Sequence, residues 1–144
     1  MAQALAQAER AATLGEVPVG AVVVDGASAR VLAACGNRVL ERRDPTAHAE
    51  MLAIRQAALA LASERLGGCD LYVTLEPCAM CAQAMALARV RRLYFGAADP
   101  KGGGVEHGAR VFDQPTCHHR PEVYGGIDGA RAAALLKDFF AARR

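Results

Sequence analysis

The chain has 144 residues, and its 17 lysines and arginines against 15 aspartates and glutamates give a formal charge of +2. A chain of this length fits one domain, which we expect to span residues 1–144 and to bury about two thirds of the unfolded surface. No apolar run approaches the roughly 20 residues that span a bilayer, and the N-terminus has neither the basic start nor the apolar segment of a signal peptide. These features exclude a transmembrane helix, and we expect a cytoplasmic protein without a membrane partner.

The first part of the chain is predicted to form a helix and a β-hairpin. Alanine, glutamine and glutamate favour a helix up to Leu14, and a glycine and a proline shortly afterwards end it. Val19–Val24 is predicted as a buried strand, and Arg30–Cys35 as the strand that returns after the turn signal Asp25-Gly26. The polar segment Gly36–Pro45 is predicted as a loop.

Helices and strands alternate in the middle of the chain. Asp44 is the predicted N-cap and Pro45 the first-turn residue of a helix that reaches about Ser63. A strand, a second helix opened by Pro77 and another strand are predicted at Asp70–Leu75, Ala79–Val90 and Arg92–Ala97. This succession of strand, helix and strand implies parallel neighbours joined by a right-handed crossover.

The last part of the chain adds one strand and one helix. Gly102–Gly108 is glycine-rich and is predicted as a surface loop, Pro121–Tyr124 as a short strand and Arg131–Ala142 as the final helix. The predicted fold is therefore α/β, a three-layer α/β/α arrangement with helices covering both faces of a mixed five-stranded sheet.

Three residues have the identity and the spacing of a catalytic zinc site. Such sites commonly use three protein ligands and leave the fourth tetrahedral position to water. Cys78 and Cys81 stand three residues apart at a predicted helix start, so both thiols lie on one face and the helix dipole favours their thiolate forms. His48 falls in the first turn of the preceding predicted helix. Because open α/β folds place their sites at the ends of strands, we predict that His48, Cys78 and Cys81 bind one metal ion.

Glu50 is predicted to act beside the metal ion and not as a ligand. It follows His48 by two residues, about 200° round a regular helix, so the two side chains would not approach one ion from the same direction. A carboxylate near a zinc-bound water takes its proton as the metal lowers the pKa of the water towards about 7, and then passes protons to a leaving group. Attack on an amino-bearing ring carbon in this way is hydrolytic deamination.

Other interpretations of the C-x-x-C pair stay open at this point. Five cysteines in a reducing compartment do not indicate a disulfide framework, but the pair also fits a redox motif or a closed structural zinc site. A closed site needs a fourth ligand, for which the candidates are Cys35, Cys69, Cys117, His107, His118 and His119. A redox motif would leave His48-Ala49-Glu50 without a role. The complete pattern therefore favours catalytic zinc.

The run His48-Ala49-Glu50, followed by Pro77-Cys78-Ala79-Met80-Cys81, resembles the H-x-E and P-C-x-x-C signature of zinc deaminases. Over nearly its whole length the chain also resembles the bacterial tRNA-specific adenosine deaminases, a branch of the cytidine/deoxycytidylate deaminase superfamily. The further segments that carry this resemblance are Glu16–Ala21, Gly36–Arg38, Asp44–Ala47, Leu75–Pro77, Gly96–Lys101 and Asp138–Phe140.

This resemblance implies a cytidine-deaminase-like fold, one Zn²⁺ per subunit, a homodimer and a tRNA anticodon stem-loop as partner. It implies conversion of the wobble adenosine to inosine with release of ammonia. Asn37 would hydrogen-bond the flipped base, the backbone around Ala49 would help to hold that base, and Pro77 would also contact the substrate. From its position alone, an asparagine in a loop more often serves a turn.

Two parts of the second half are candidates for RNA contact. Asp99 would accept a hydrogen bond from a ribose hydroxyl, and Lys101 would lie beside the RNA backbone, although the pair also fits a solvated turn. Phe139 and Phe140 are expected mainly in the core, with one of them available for stacking. The basic C-terminus is a candidate for phosphate contact.

Two other functions remain open on the sequence alone. A zinc-dependent deaminase of a free base or nucleoside, of the guanine or cytosine type, would share the metal site but lack an RNA groove. A zinc-stabilised RNA-binding module would lack catalysis, and protein side chains would fill all four positions around its metal ion.

Overall fold

The computed structural model describes residues 1–144 and contains five strands and five helices. The strands are β1 (Gly20–Asp25), β2 (Val31–Gly36), β3 (Cys69–Leu75), β4 (Arg92–Ala97) and β5 (Glu122–Tyr124). The helices are α1 (Ala2–Thr13), α2 (Val39–Arg42), α3 (Ala49–Leu61), α4 (Ala79–Ala88) and α5 (Gly129–Ala141). None of them combines the length and the apolar character that crossing a bilayer requires.

The five strands form one mixed sheet in the order β2-β1-β3-β4-β5. The pairs β1/β2 and β1/β3 are antiparallel, whereas β3/β4 and β4/β5 are parallel. Helices α1 and α5 pack together on one face of the sheet, and α3 and α4 on the other. The predicted α/β fold with a mixed five-stranded sheet is confirmed, and the parallel β3/β4 pair follows from the crossover through α4.

Close packing of both layers fixes the position of the sheet. Leu71, Val73, Leu93 and Phe95 of the two central strands are at most 1% exposed and form the core with α3 and α4. On the other side α1 lies so close to β1 that a Cβ atom on Gly20 would come within 1.9 Å of the carbonyl oxygen of Ala4. A glycine at this position is therefore required for α1 to pack directly on the sheet.

The register of the parallel strands aligns three tyrosines. Tyr72, Tyr94 and Tyr124 occupy equivalent positions on β3, β4 and β5. Their rings stack with centroids 4.5 and 5.0 Å apart. Stacked aromatic pairs on neighbouring strands stabilise a sheet, so this row supports the short edge strand β5.

The predicted start of α3 was wrong. Asp44 does not cap the helix, because its Oδ1 accepts hydrogen bonds from the backbone N–H and the hydroxyl of Thr46, at 2.8 and 2.7 Å, and so holds a local turn. The helix begins at Ala49 with His48 as its N-cap residue. Pro45 and His48 therefore lie before the helix and not in its first turn.

The predicted loop Gly36–Pro45 contains the short helix α2. Glu16 is 2% exposed, and its Oε1 accepts hydrogen bonds from the N–H groups of Leu40 and Glu41, each at 2.9 Å. These are helix N-terminal donors that a local N-cap residue would otherwise satisfy. Arg38 at the N-cap position makes no side-chain hydrogen bond to these donors. The sequence around α2 therefore lacks the N-cap residue from which a helix start is usually predicted.

Other boundaries differ by one to a few residues. β1 and β2 each begin one residue later than predicted, and the connection between them has five residues, as the predicted strand bounds imply. α4 ends at Ala88 and α5 begins at Gly129. Pro77 precedes the N-cap residue of α4 and does not open the helix.

Candidate active site

The three predicted metal ligands come together at two helix N-termini. His48 is the N-cap residue of α3, Cys78 is the N-cap residue of α4, and Cys81 lies in the first turn of α4. The Nδ1 atom of His48 is 3.6 Å from the Sγ atom of Cys78 and 3.6 Å from that of Cys81. All three ligand atoms lie within 4.8 Å of one another.

This arrangement has the dimensions of a tetrahedral zinc site. With Zn–S bonds of about 2.3 Å and a Zn–N bond of about 2.0–2.1 Å, tetrahedral geometry separates the nitrogen from each sulfur by about 3.6 Å. The separations measured from His48 have this value. Hydrogen bonding with Cys81 and His48 lowers the pKa of the Cys78 thiol to about 4, which favours the thiolate form that a metal requires.

The candidates for a fourth protein ligand lie outside this group. No further histidine or cysteine belongs to the cluster of ligand atoms. His107 pairs with Glu76 at 2.8 Å, and Nε2 of His119 contacts the carbonyl oxygen of Val90 at 2.6 Å. The cluster therefore offers three ligand atoms, which is the number that catalytic zinc sites commonly take from the protein.

Glu50 is a buried carboxyl beside the three predicted ligands. Its side chain belongs to α3, is 4% exposed and lines the same pocket as His48 and Cys78. Burial raises the pKa of Glu50 to about 7. Because His48 lies outside α3, the helical angle predicted between His48 and Glu50 does not describe the site. Glu50 is nevertheless absent from the cluster of ligand atoms.

These groups line a pocket with a volume of about 600 Å³. Pockets of about 300–1,000 Å³ bind small molecules, so this one has room for a nucleoside. Its wall includes the predicted ligands His48 and Cys78, the carboxyls Glu16, Glu50, Glu76 and Asp99, and the further residues Asn37, Phe139 and Arg143.

Asn37 connects the pocket wall to the start of α3. It is 9% exposed, and its Oδ1 accepts a hydrogen bond of 2.8 Å from the backbone N–H of Ala49, the first residue of the helix. The backbone N–H of Ala49 therefore holds the side chain of Asn37 in place. Because this N–H is already bonded, it is not available to donate to a bound base. The Nδ2 group of Asn37 donates to no protein atom and remains available in the pocket.

Glu76 organises the loop beside the pocket, a role that sequence reasoning missed. Its side chain is fully buried. Its two oxygens accept hydrogen bonds from the backbone N–H groups of Asp99, Val105, Glu106 and His107, at 2.8–3.3 Å, and from Nδ1 of His107. Burial alone would raise the pKa of Glu76, but these donors outweigh burial and hold the pKa below its ordinary value.

The predicted RNA-contacting residues occupy this loop in different ways. Asp99 lines the pocket, and its Oδ1 accepts from the N–H groups of Lys101 and Gly102, so the predicted turn is present. Lys101 is exposed and is not part of the pocket wall. Pro77 is buried, and its carbonyl oxygen accepts a hydrogen bond of 2.8 Å from Gly104.

The C-terminal helix completes the rim of the pocket. Phe139 is 7% exposed and lines the pocket, whereas Phe140 is 47% exposed on the outside. The guanidinium of Arg143 lies 3.5 Å above the ring of Phe139, a cation–π contact that places a positive charge at the pocket entrance. Sequence patterns did not reveal this position of Arg143, because the contact depends on how α5 docks on the sheet.

Comparison with known proteins identifies the family. Residues 1–97 match the family model described as the cytidine and deoxycytidylate deaminase zinc-binding region. A tRNA-specific adenosine deaminase of Agrobacterium fabrum is 57% identical over 145 residues, covering 100% of this chain and 93% of the relative. A tRNA-specific adenosine deaminase of Aquifex aeolicus is 46% identical, covering 95% of this chain and 89% of the relative.

Solved structures agree with these relatives. A structure from a study of A-to-I editing by tRNA:A34 deaminases superposes with a TM-score of 0.92 at 57% identity, covering 94% of this chain and 97% of the other. A guanine deaminase of Nitrosomonas europaea superposes with a TM-score of 0.84 at 25% identity, covering 97% and 82%. The chain is a member of the cytidine and deoxycytidylate deaminase family, to which its zinc-binding region belongs.

Proposed function

We propose that this protein is a tRNA-specific adenosine deaminase that hydrolyses the wobble adenosine of an anticodon to inosine and releases ammonia. The observation that carries this proposal is the full-length similarity, at 57% identity, to a tRNA-specific adenosine deaminase, together with the three-residue metal site. The guanine deaminase is less similar, at 25% identity, so deamination of a free base is not favoured.

The residues of the pocket have separate parts in this reaction. His48, Cys78 and Cys81 would hold one zinc ion, which would supply a nucleophile at neutral pH by lowering the pKa of a bound water towards about 7. Glu50 would accept a proton from the attacking water and would deliver protons to the amino nitrogen of the base, which would leave C6 as ammonia. The burial of Glu50 keeps bulk water away from this transfer.

Asn37 and the loop held by Glu76 are proposed to orient the base. The free Nδ2 group of Asn37 would donate a hydrogen bond to an acceptor nitrogen of adenine, while Ala49 fixes the other end of the amide. Asp99 would accept from a ribose hydroxyl through the oxygen that its own turn does not use. Pro77 would hold the loop against the start of α4, and Lys101 would meet a phosphate outside the pocket.

The active form is proposed to be a homodimer of single-domain subunits in the cytoplasm. Leu87 on α4 is 67% exposed. An exposed leucine on a helix that covers one face of the sheet favours association through α4. Light scattering after size exclusion should give twice the subunit mass for the wild type, and a smaller mass for Leu87→Asp.

One experiment separates the candidate substrates. Ammonia release in a single turnover should occur with an anticodon stem-loop that carries adenosine at the wobble position. The same stem-loop with adenosine moved to the neighbouring position, free adenosine, guanine and cytosine should react far more slowly. Reaction with only a free base would show that the substrate assignment is wrong.

A variant of Glu50 tests the assigned chemistry. Glu50→Gln keeps the size of the side chain but removes proton transfer, which contributes about 10²- to 10⁴-fold to such reactions. We expect at least this loss of rate with an unchanged zinc content per subunit. Glu64→Gln, on an exposed residue, is the matched control and should keep the wild-type rate. Normal turnover of Glu50→Gln with zinc bound would refute the mechanism.

A further inference from the structure

A second cavity lies along the free edge of the sheet and is lined by four arginines. The cavity has a volume of about 570 Å³. Its basic residues are Arg10 of α1, Arg38 at the start of α2, Arg42 at the end of α2 and Arg55 of α3. We call this cavity the arginine groove. β2, an edge strand, forms its floor between α1 on one face of the sheet and α3 on the other.

The positive charge of the arginine groove is only partly compensated. Its lining contains no aspartate and no glutamate. Arg38 pairs with Glu41. Hydrogen bonds from Thr46, and to a smaller extent the charges of Arg55 and Arg42, lower the pKa of Asp44 nearby. Arg10, Arg42 and Arg55 make no ion pair and no side-chain hydrogen bond. Guanidinium groups that face one cavity repel each other, so an anion bound there would be stabilised by several of them at once. Planar guanidinium groups are also well suited to bind phosphate through two hydrogen bonds.

The position of the arginine groove relative to the active site indicates which anion it binds. Helix α2 separates the two cavities: Val39 and Leu40 face the active-site pocket, whereas Arg38 and Arg42 face the groove. A polyanion whose base enters the pocket would therefore cross α2 and reach the arginines. A chain of phosphates can reach both cavities at once, whereas a small anion would occupy the groove alone.

We propose that the arginine groove binds phosphates of the tRNA backbone on the side of α2 away from the reacting base. This inference rests on the proposed function, because it assumes that tRNA is the substrate. The groove also contains one neutral donor. The thiol of Cys35 donates to Oε1 of Gln56 at 3.0 Å, and the amide nitrogen of Gln56, which donates to no protein atom, would be available to a phosphate oxygen.

The test compares two double variants with the same loss of charge. Arg42→Gln with Arg55→Gln removes two arginines of the groove. Arg30→Gln with Arg65→Gln removes two exposed arginines from the opposite end of the sheet and serves as control. Binding of an anticodon stem-loop is measured by fluorescence anisotropy between about 50 and 200 mM salt. Circular dichroism, zinc content and size exclusion verify that both variants keep the fold and the oligomeric state.

We expect the groove variant to bind the stem-loop about tenfold more weakly at low salt. Its plot of log affinity against log salt should be shallower by about 0.7 to 0.9 for each phosphate that the arginines no longer neutralise. The control variant should keep the wild-type affinity and slope. Equal affinity and slope for the two variants would overturn the proposal. Binding of tripolyphosphate to the wild type, without any effect of the groove variant on RNA, would assign the groove to a small phosphate and would also overturn it.

Inosine formation by the wild type distinguishes failure of this inference from failure of the proposed function. If the wild type forms inosine but the groove variant behaves like the control, the function stands and the groove assignment fails. If the groove variant loses RNA affinity but the wild type forms no inosine, the groove assignment stands and the substrate assignment fails.

Discussion

Replacement of Glu76 by glutamine tests whether one buried carboxylate organises the loop beside the pocket. Its Oε1 accepts from three backbone N–H groups, and its Oε2 accepts from the N–H of Asp99 and from the ring of His107. In Glu76→Gln the amide oxygen is expected to take the place of Oε1, because most donors point there. The NH₂ group then faces the N–H of Asp99, and this donor loses its acceptor.

The expected loss of stability follows from these hydrogen bonds. An unsatisfied buried donor costs about 1–3 kcal/mol, and hydrogen bonds to a charged acceptor are each about 1 kcal/mol stronger than those to a neutral one. The Glu76 side chain is fully buried, so solvent does not weaken these terms, although the neutral amide has a smaller desolvation cost. We therefore expect a loss of about 3 kcal/mol in the free energy of unfolding, or about 10 °C in Tm.

Urea unfolding of the zinc-loaded protein measures this loss. Glu122→Gln is the matched control, because Glu122 also accepts charged and hydroxyl hydrogen bonds but its side chain is 57% exposed. The control should lose much less stability than Glu76→Gln, because solvent screens the interactions of an exposed carboxylate. A Glu76→Gln variant within about 0.5 kcal/mol of the wild type would refute the idea that this carboxylate holds the loop.

Three further changes have defined expectations. Arg91→Ala should lower the free energy of unfolding in urea more than Arg92→Ala, because Asp70 is 6% exposed and would lose its two-bond partner, whereas Arg92 pairs with an exposed carboxylate; equal losses would contradict this reasoning. Chelation of the metal should abolish activity and expose the Cys78 thiol to alkylation, and a thiol equally reactive before and after chelation would argue against ligation. Burial raises the pKa of Cys35 above its ordinary value, so its alkylation, mapped by mass spectrometry, should still increase above pH 9; a plateau below that pH would contradict the shift.

The features that the sequence predicted correctly depend on short-range patterns. The alternation of strands and helices follows from local hydrophobic patterning, and the parallel β3/β4 pair follows from the crossover rule. Cys78 and Cys81 were predicted to share one face because their spacing fits a helix start, and His48 joins them at 3.6 Å. The prediction that the substrate is adenosine in a tRNA depends on the resemblance over the whole chain and not on any pattern of residues in the site.

The features that were missed depend on partners far apart in the sequence. The carboxylate of Glu16 accepts from the N–H of Leu40 at the start of α2, 24 residues later in the sequence. The amide oxygen of Asn37 accepts from the first N–H of α3, 12 residues later. Glu76 binds a loop that begins 23 residues later. A rule that looks for a cap beside the helix therefore selected Asp44, whose oxygen is used within its own turn. The arginine groove was missed for the same reason, since its residues come from three separate helices.

The remote acceptors at α2 and α3 have a consequence for the order of folding. Asn37, and not the N-cap residue His48, accepts the hydrogen bond from the first N–H of α3, so the imidazole of His48 is available to bind a metal ion. The imidazole reaches its position only when the segment around Asn37 has packed against the start of α3. A chain that has not reached this stage offers a metal ion little more than two neighbouring thiols. Ion affinity should therefore increase late in refolding, and metal uptake would report that the sheet and its helices have assembled.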